Sequence, residues 1–344
     1  MTAGRLPRRS GWRRLGAFWA FIIVAFAALG GTLQALGPPE PAPATLQRAA
    51  QTDAPSHDPL AAPSFGVAAP LPALLEASKA FPTATLPKIG PGGRVSRVVY
   101  ARPSDPAERR PRIALLITGL GMSVNDTANA IASLPGPISL AFSPYATNTD
   151  PMQAACRKAG HEMLVSIPME PQGYPLSDAG SRSLLTGVAP EQNAHNLEWA
   201  LSRIQGYVGA VGALDAMRGE RFADQTNNLK AVLEELKRRG LLYVDPRPGR
   251  TTDLLPSIPG RTVDLVIDDP PARAEIEAKL AGLERIAREK GVALGLAGPL
   301  RPVTVERIAA WAKTLGDRGI ALVPVSALVD RAATAEADNG ETVH

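Results

Sequence analysis

The chain has 344 residues, enough for one large domain or two ordinary ones, with 45% hydrophobic and only 5% aromatic side chains. Its formal net charge is +4, but Arg5, Arg8, Arg9, Arg13 and Arg14 supply five positive charges before the first acid, which leaves the remainder near −1 and excludes an electrostatic footprint for nucleic acid. The single cysteine, Cys156, excludes an internal disulfide and a thiolate metal cluster, and its helical register with Met152 and Ala159 reads as core.

Residues 15–37 hold no charged side chain, and their centre reads AFWAFIIVAFAAL. About twenty apolar residues cross a bilayer as a helix, whereas the apolar part of a signal peptide is about 7–15 long. With arginines on one side only, the positive-inside rule predicts a cytoplasmic basic segment at 1–14 and a transmembrane anchor at 15–37, with the rest of the chain beyond the membrane. Small residues at 28–31 leave a cleaved signal as the alternative. From 38 to 110 the chain holds fourteen of the 33 prolines, much alanine and no long periodic apolar pattern. That composition predicts a Pro/Ala-rich linker, extended and largely disordered. One short piece, 71–80, could form a helix or touch the folded domain, but disorder is the reading that composition favours.

From residue 111 strands and helices alternate. Strands are predicted at 112–117, 138–142, 163–167, 207–214, 241–244, 262–267, 292–296 and 320–325. Helices are predicted near 125–133 and 151–158, from Pro190 along Ala194, Leu197, Leu201 and Ile204, and along Leu229, Val232, Leu233 and Leu236 to a stop at Gly240. Two more carry Ile276, Leu280, Leu283 and Ile286, then Val305, Ile308, Ala312 and Leu315. This order predicts an α/β domain over 111–330 with a parallel sheet covered by helices, closed into a barrel or left open and doubly wound. A polar tail occupies 331–344.

The central stretch, His161 to Pro171, reads HEMLVSIPMEP: a charge-free strand that stops at Pro168, followed by Glu170 where parallel α/β folds place loops for chemistry. Pro168-Met169-Glu170-Pro171 after a Gly-His-Glu start resembles the divergent polysaccharide deacetylase family, a secreted or membrane-tethered bacterial group. The resemblance covers roughly 112–328 and implies an irregular (β/α) barrel of about seven parallel strands. It also implies a metal held by an Asp and two His, with a carboxylate as base.

Position by position, this chain departs from that pattern. Thr118-Gly119 stands for the family's Asp-Asp pair, Ser166 for a histidine, Ala216 in Leu214-Asp215-Ala216-Met217 for the next histidine, and Gly298-Pro299 for Gly-His. Glu170, Asp245 and Thr304 match family positions. The histidine count agrees. His57 lies in the linker and His344 ends the chain, which leaves His161 at the amino-terminal end of its strand and His195 on a helix.

Candidate catalytic residues are therefore Asp245 and Glu170. Candidate ligand-binding residues are Thr118, Ser166, Glu170, Asp215, Arg218, Asp245, Arg247, Arg301 and Thr304. Asp245 and Arg247 straddle Pro246 at a strand end, which suits a sugar or anion contact and equally an ordinary Asp turn. Asp268-Asp269-Pro270-Pro271 reads as a helix lead-in. No metal site and no cofactor are expected. The expectation is a bacterial inner-membrane protein, spanning once, with its amino terminus cytoplasmic and its domain periplasmic. It would bind a cell-envelope polysaccharide or an envelope protein without metal-dependent catalysis. The alternative is a carbohydrate deacetylase or related hydrolase that holds a divalent metal through Glu170, Asp215 and Asp245.

Overall fold

The computed structural model describes residues 18–20, 22, 23, 66–250 and 258–329. The basic segment 1–14, most of the predicted anchor 15–37, the first part of the linker up to 65 and the tail 331–344 lie outside them. Residues 18–20, 22 and 23 are helical. Among the described residues no helix is long and apolar enough to cross a membrane.

The second part of the predicted linker is ordered, which corrects the expectation of disorder for 66–110. It forms a small antiparallel hairpin, β1 (Leu75–Ala77) with β2 (Thr85–Pro87), and a single helical turn, α1 (Ser96–Val99). Its apolar residues dock one at a time, so no periodic stripe is written in the sequence. Val67, Leu74 and Tyr100 are buried with Ala114, Leu116 and Leu164, and the Tyr100 hydroxyl accepts from the Leu71 N–H at 2.9 Å.

Strands and helices then alternate: β3 (Arg112–Leu120), α2 (Val124–Ser133), β4 (Ser139–Phe142), α3 (Asp150–Ala159), β5 (Met163–Ser166), α4 (Pro190–Leu201), β6 (Gly209–Val211), α5 (Glu220–Ala223), α6 (Thr226–Arg238), β7 (Leu242–Asp245), β8 (Gly260–Thr262), β9 (Leu265–Val266), α7 (Arg273–Lys290), β10 (Val292–Ala297), α8 (Pro302–Ala312) and β11 (Ala321–Leu322). The helix boundaries follow local chemistry. The Ser123 hydroxyl caps α2 by accepting from the Asp126 N–H at 3.3 Å, and α3 ends where Gly160 turns left-handed at φ 81°. On α6 the stripe of Leu229, Val232, Leu233 and Leu236 is buried as expected. Each such side chain contributes about 1.5–3 kcal/mol relative to exposure.

The strands pair in parallel in the order β8-β7-β6-β5-β4-β3-β10-β9, with β11 also on β3. The two end strands are consecutive in sequence, separated only by Val263 and Asp264. The Val263 N–H donates to Asp245 O at 2.9 Å and the Asp264 N–H to Leu294 O at 2.8 Å. One short segment therefore pairs with β7 through residues 260–262 and with β10 through 265–266, and the ends of the sheet meet there. Counting β8 and β9 as one position gives seven around the ring. The irregular parallel barrel expected from the resemblance is thus present, and the open doubly wound alternative is excluded by these pairings.

Side-chain alternation divides the core into two layers. Ala114, Leu116, Ala141, Leu164, Val211, Leu242, Val244, Leu294 and Leu296 fill the interior, while Ile113, Leu115, Ile117, Leu140, Val165 and Tyr243 pack against the helices. At the amino-terminal end of the ring, Glu162 shares the interior face of Leu164. It is fully buried and accepts from the Ser139 hydroxyl (2.8 Å), the Ser326 hydroxyl (2.6 Å), the Ser326 N–H (3.0 Å) and the Arg102 N–H (3.4 Å). Arg102 also donates to Gly160 O at 2.7 Å. One carboxylate thus ties the amino-terminal extension, β4 and the carboxyl-terminal segment together.

Candidate binding site at the barrel mouth

The opposite end of the ring carries the polar groups. The β3, β10 and β9 registers place Thr118, Gly298 and Asp268 side by side. The Gly298 N–H donates to both oxygens of Asp268 at 3.1 Å, and the Thr304 hydroxyl at the start of α8 donates to Oδ2 at 3.2 Å. Gly298 has φ 151°, and a Cβ there would lie 1.9 Å from Thr118 Oγ1, so the approach of these strands requires glycine.

Asp215, at φ 52° beyond β6, puts Oδ1 over Gly119, 3.1 Å from where a Cβ would stand. Burial raises the Asp215 carboxyl above its usual range and the charge of Arg301 opposes that shift. Asp268 is raised mainly by burial too, against the Gly298 N–H, the Thr304 hydroxyl and Arg301. Arg301, with Nη1 3.7 Å from Asp268 Oδ2, is the partly exposed cation shared by both acids. Arg218 links the β6 loop to the β9 loop through Asp269 at 3.3 Å. On the facing strands Ser143 and Ser166 are buried, on the interior faces of Ala141 and Leu164. Ser166 Oγ has no hydrogen-bond partner among the described residues.

Of the sequence candidates, Thr118, Ser166, Asp215, Arg218, Arg301 and Thr304 therefore lie around the mouth. Asp268 belongs with them, although its Asp-Asp-Pro-Pro context resembles a helix lead-in. Its position at the end of a parallel strand was the available signal. Asp245, Arg247 and Glu170 are engaged elsewhere. Asp245 shares the strand face of Tyr243, toward the helix layer. Its carboxylate accepts from Arg247 Nε at 2.8 Å and Nη2 at 2.6 Å, and Arg247 Nη1 reaches Asp224 at 2.9 Å. Glu170 accepts from the Thr186 N–H (2.5 Å) and hydroxyl (2.7 Å) and pairs with Arg221 at 3.0 Å, fastening the long loop after β5. Glu170→Ala should lower the unfolding free energy by about 1–3 kcal/mol, because it strands these donors. A drop in the urea midpoint together with faster protease cleavage within 171–187 would show it.

The donor set does not fit the metal that the resemblance implies. Glu170 and Asp245 belong to two separate hydrogen-bonding groups, and the Asp215 carboxylate to neither. Among the described residues no group of three or more His, Cys, Asp or Glu could hold a metal ion. His161 is buried at the far end of the ring with Nδ1 2.7 Å from Ile138 O, and burial lowers its pKa. His195 packs against Phe81 with ring centroids 4.7 Å apart.

The sequence pattern that defines divergent polysaccharide deacetylases matches residues 115–329. The chain belongs to this family. It is 24% identical to the uncharacterized protein YibQ of Escherichia coli K12 over 201 residues, an alignment that covers 56% of this chain and 60% of YibQ. The crystal structure of the uncharacterized protein ATU2773 from Agrobacterium tumefaciens C58 is similar at 34% identity with a TM-score of 0.66. That match covers 72% of this chain and 100% of the other. Family membership thus agrees with the parallel barrel.

Proposed function

We propose that the domain binds a cell-envelope polysaccharide at the barrel mouth without metal-dependent catalysis. Residues 15–37 would hold it to the inner membrane of a bacterium, with the domain in the periplasm. The observation that carries the reading is Ser166 Oγ, a buried hydroxyl at the inner end of β5 whose hydrogen-bonding capacity no described residue uses. A buried hydroxyl left unpaired costs about 1–3 kcal/mol, so a hydrogen-bonding ligand has something to gain there. The same mouth carries an acceptor at Asp215 and donors at Arg301 and Arg218. That balance suits a polyhydroxylated ligand better than an anion, because the carboxylates offset the guanidinium charge. The family description supports a polysaccharide as the ligand class.

The test is calorimetric titration of soluble peptidoglycan fragments and N-acetylglucosamine oligomers into the full chain. Saturable binding is expected, weakened about two- to tenfold by Ser166→Ala, the value of one hydrogen bond. Ser166→Leu should abolish it. Binding that ignores both substitutions would remove the mouth as the site. Saturable uptake of Zn²⁺, Mn²⁺ or Mg²⁺, lost in Asp215→Asn, would replace this reading by a metal-dependent hydrolase.

A further inference from the structure

The end of the ring opposite the mouth is basic. Between Glu76 and Asp105 the chain carries five cations, Lys79, Lys88, Arg94, Arg97 and Arg102, and no acid. Residues 88–98 of that stretch fold against the turn at Gly240, which leads into the amino-terminal end of β7. The Arg97 N–H donates to Gly240 O at 3.2 Å and the Gly90 N–H to Arg94 O at 2.8 Å. A Cβ at Gly240 would lie 2.7 Å from Val95 and 3.4 Å from Ile89.

Lys88, Arg94, Arg97 and, in the last turn of α6, Lys237 have no ion-pair partner among the described residues. Glu76 and Glu235, the carboxylates that reach this part of α6, are paired with Arg239 and Arg238 and do not cancel the other four charges. Beside these cations Ile89 is 46% and Val98 57% exposed. A single exposed aliphatic side chain is ordinary. Two of them among uncancelled cations make a surface suited to the boundary between anionic headgroups and acyl chains. The course of the chain agrees, because the Val67 N–H donates to Arg157 O at 3.3 Å in the last turn of α3, just before β5. The chain coming from residues 15–37 therefore joins the domain at this same end.

We propose that this face rests on an anionic lipid surface, with Ile89 and Val98 at the headgroup boundary and the four cations on lipid phosphates. It rests on the membrane location proposed above and not on the ligand of the mouth. The mouth, at the other end of the ring, then opens away from the bilayer.

The experiment uses the buried state of Cys156, the single native cysteine. Val98→Cys puts one reactive thiol on the surface for an environment-sensitive label, and Leu176→Cys, at a position 99% exposed on the loop after β5, is the counterpart at the mouth. Each labelled full chain is reconstituted with vesicles of phosphatidylcholine alone or mixed equally with phosphatidylglycerol, and quenching by bromine-labelled lipid is read. The label at position 98 is expected to be quenched in the anionic vesicles, and released at about 1 M salt, where the screening length falls to about 3 Å. The label at position 176 stays unquenched. Lys88→Gln, Arg94→Gln and Arg97→Gln should each lower the ratio of lipid-facing to water-facing label about fivefold. Flotation with the vesicles reports the anchor separately. A chain that floats while position 98 stays unquenched in anionic vesicles overturns this face as a lipid surface and keeps the anchor. Flotation with anionic vesicles alone, with position 98 quenched, keeps the face and removes the anchor. Flotation with neither overturns both, and quenching at position 176 in place of 98 overturns the orientation.

Discussion

Glu162→Ala is expected to lower the unfolding free energy by about 3–5 kcal/mol, the scale for removing one partner from a buried charged network. Four donors from three parts of the chain converge on this carboxylate, and those of the buried Ser139 and Ser326 have no water to turn to once it is gone. Burial is the largest influence on the Glu162 carboxyl and raises its pKa above the ordinary 4.5; the hydrogen bonds from Ser326, Ser139 and Arg102 pull it back only in part. The folded state therefore holds this proton more tightly than the unfolded state does. The associated stability is fully present below pH 4.5 and is lost as pH rises through the folded pKa. Glu162→Gln does not titrate and should lack that slope. Urea midpoints measured at several pH values for both proteins would show it, and parallel curves would assign the slope to other groups.

Gly298→Ala should be nearly as damaging, at about 4 kcal/mol. The new methyl group would meet Thr118 Oγ1 at 1.9 Å, and alanine would have to adopt φ 151°. Overpacking and an unfavourable backbone conformation each cost about 1–3 kcal/mol. The two contributions can be separated. Thr118→Ala removes the hydroxyl that is struck but leaves the backbone angle alone, so the double variant should recover about 1–3 kcal/mol. A double-mutant cycle with no coupling would mean that β3 and β10 move apart instead of clashing. The same cycle bears on the site, because the Gly298 N–H holds Asp268, which faces Arg301.

Much of the barrel could be read from charge-free runs and helical stripes. Arg112–Leu120 is buried on both faces and therefore apolar at nearly every position, and the α7 stripe of Ile276, Leu280 and Leu283 keeps its spacing. The segment 262–267 reads as one strand, but it breaks at Val263 and Asp264 because it leaves β7 for β10, a change of partner with no local signature. The segment 71–80 shows as a piece that could touch the domain, but the hairpin at 75–87 leaves no periodic pattern, because Leu74 and Leu86 are buried by distant residues in a segment rich in proline. At the mouth, the family resemblance pointed to Thr118, Ser166 and Asp215. Asp245 sits at a strand end as well, yet its direction depends on alternation with Tyr243, and burial of Tyr243 on the helix side is a tertiary fact. Asp268 was masked by prolines that do begin a helix a few residues later.

The ring is not equally strong all the way round. Between β3 and β10 six residue pairs run side by side, the other neighbouring strands of the ring share three each, and β9 holds only two to β10. That junction behaves as a clasp on a hoop. A bulky guest that strains the mouth would spread it first between β9 and β10, with Asp264 at the fastening and Asp268 just beyond, while β3 on the other side of β10 keeps its longer pairing. The shortest pairing of the rim thus lies on the side that carries Arg301 and Asp268.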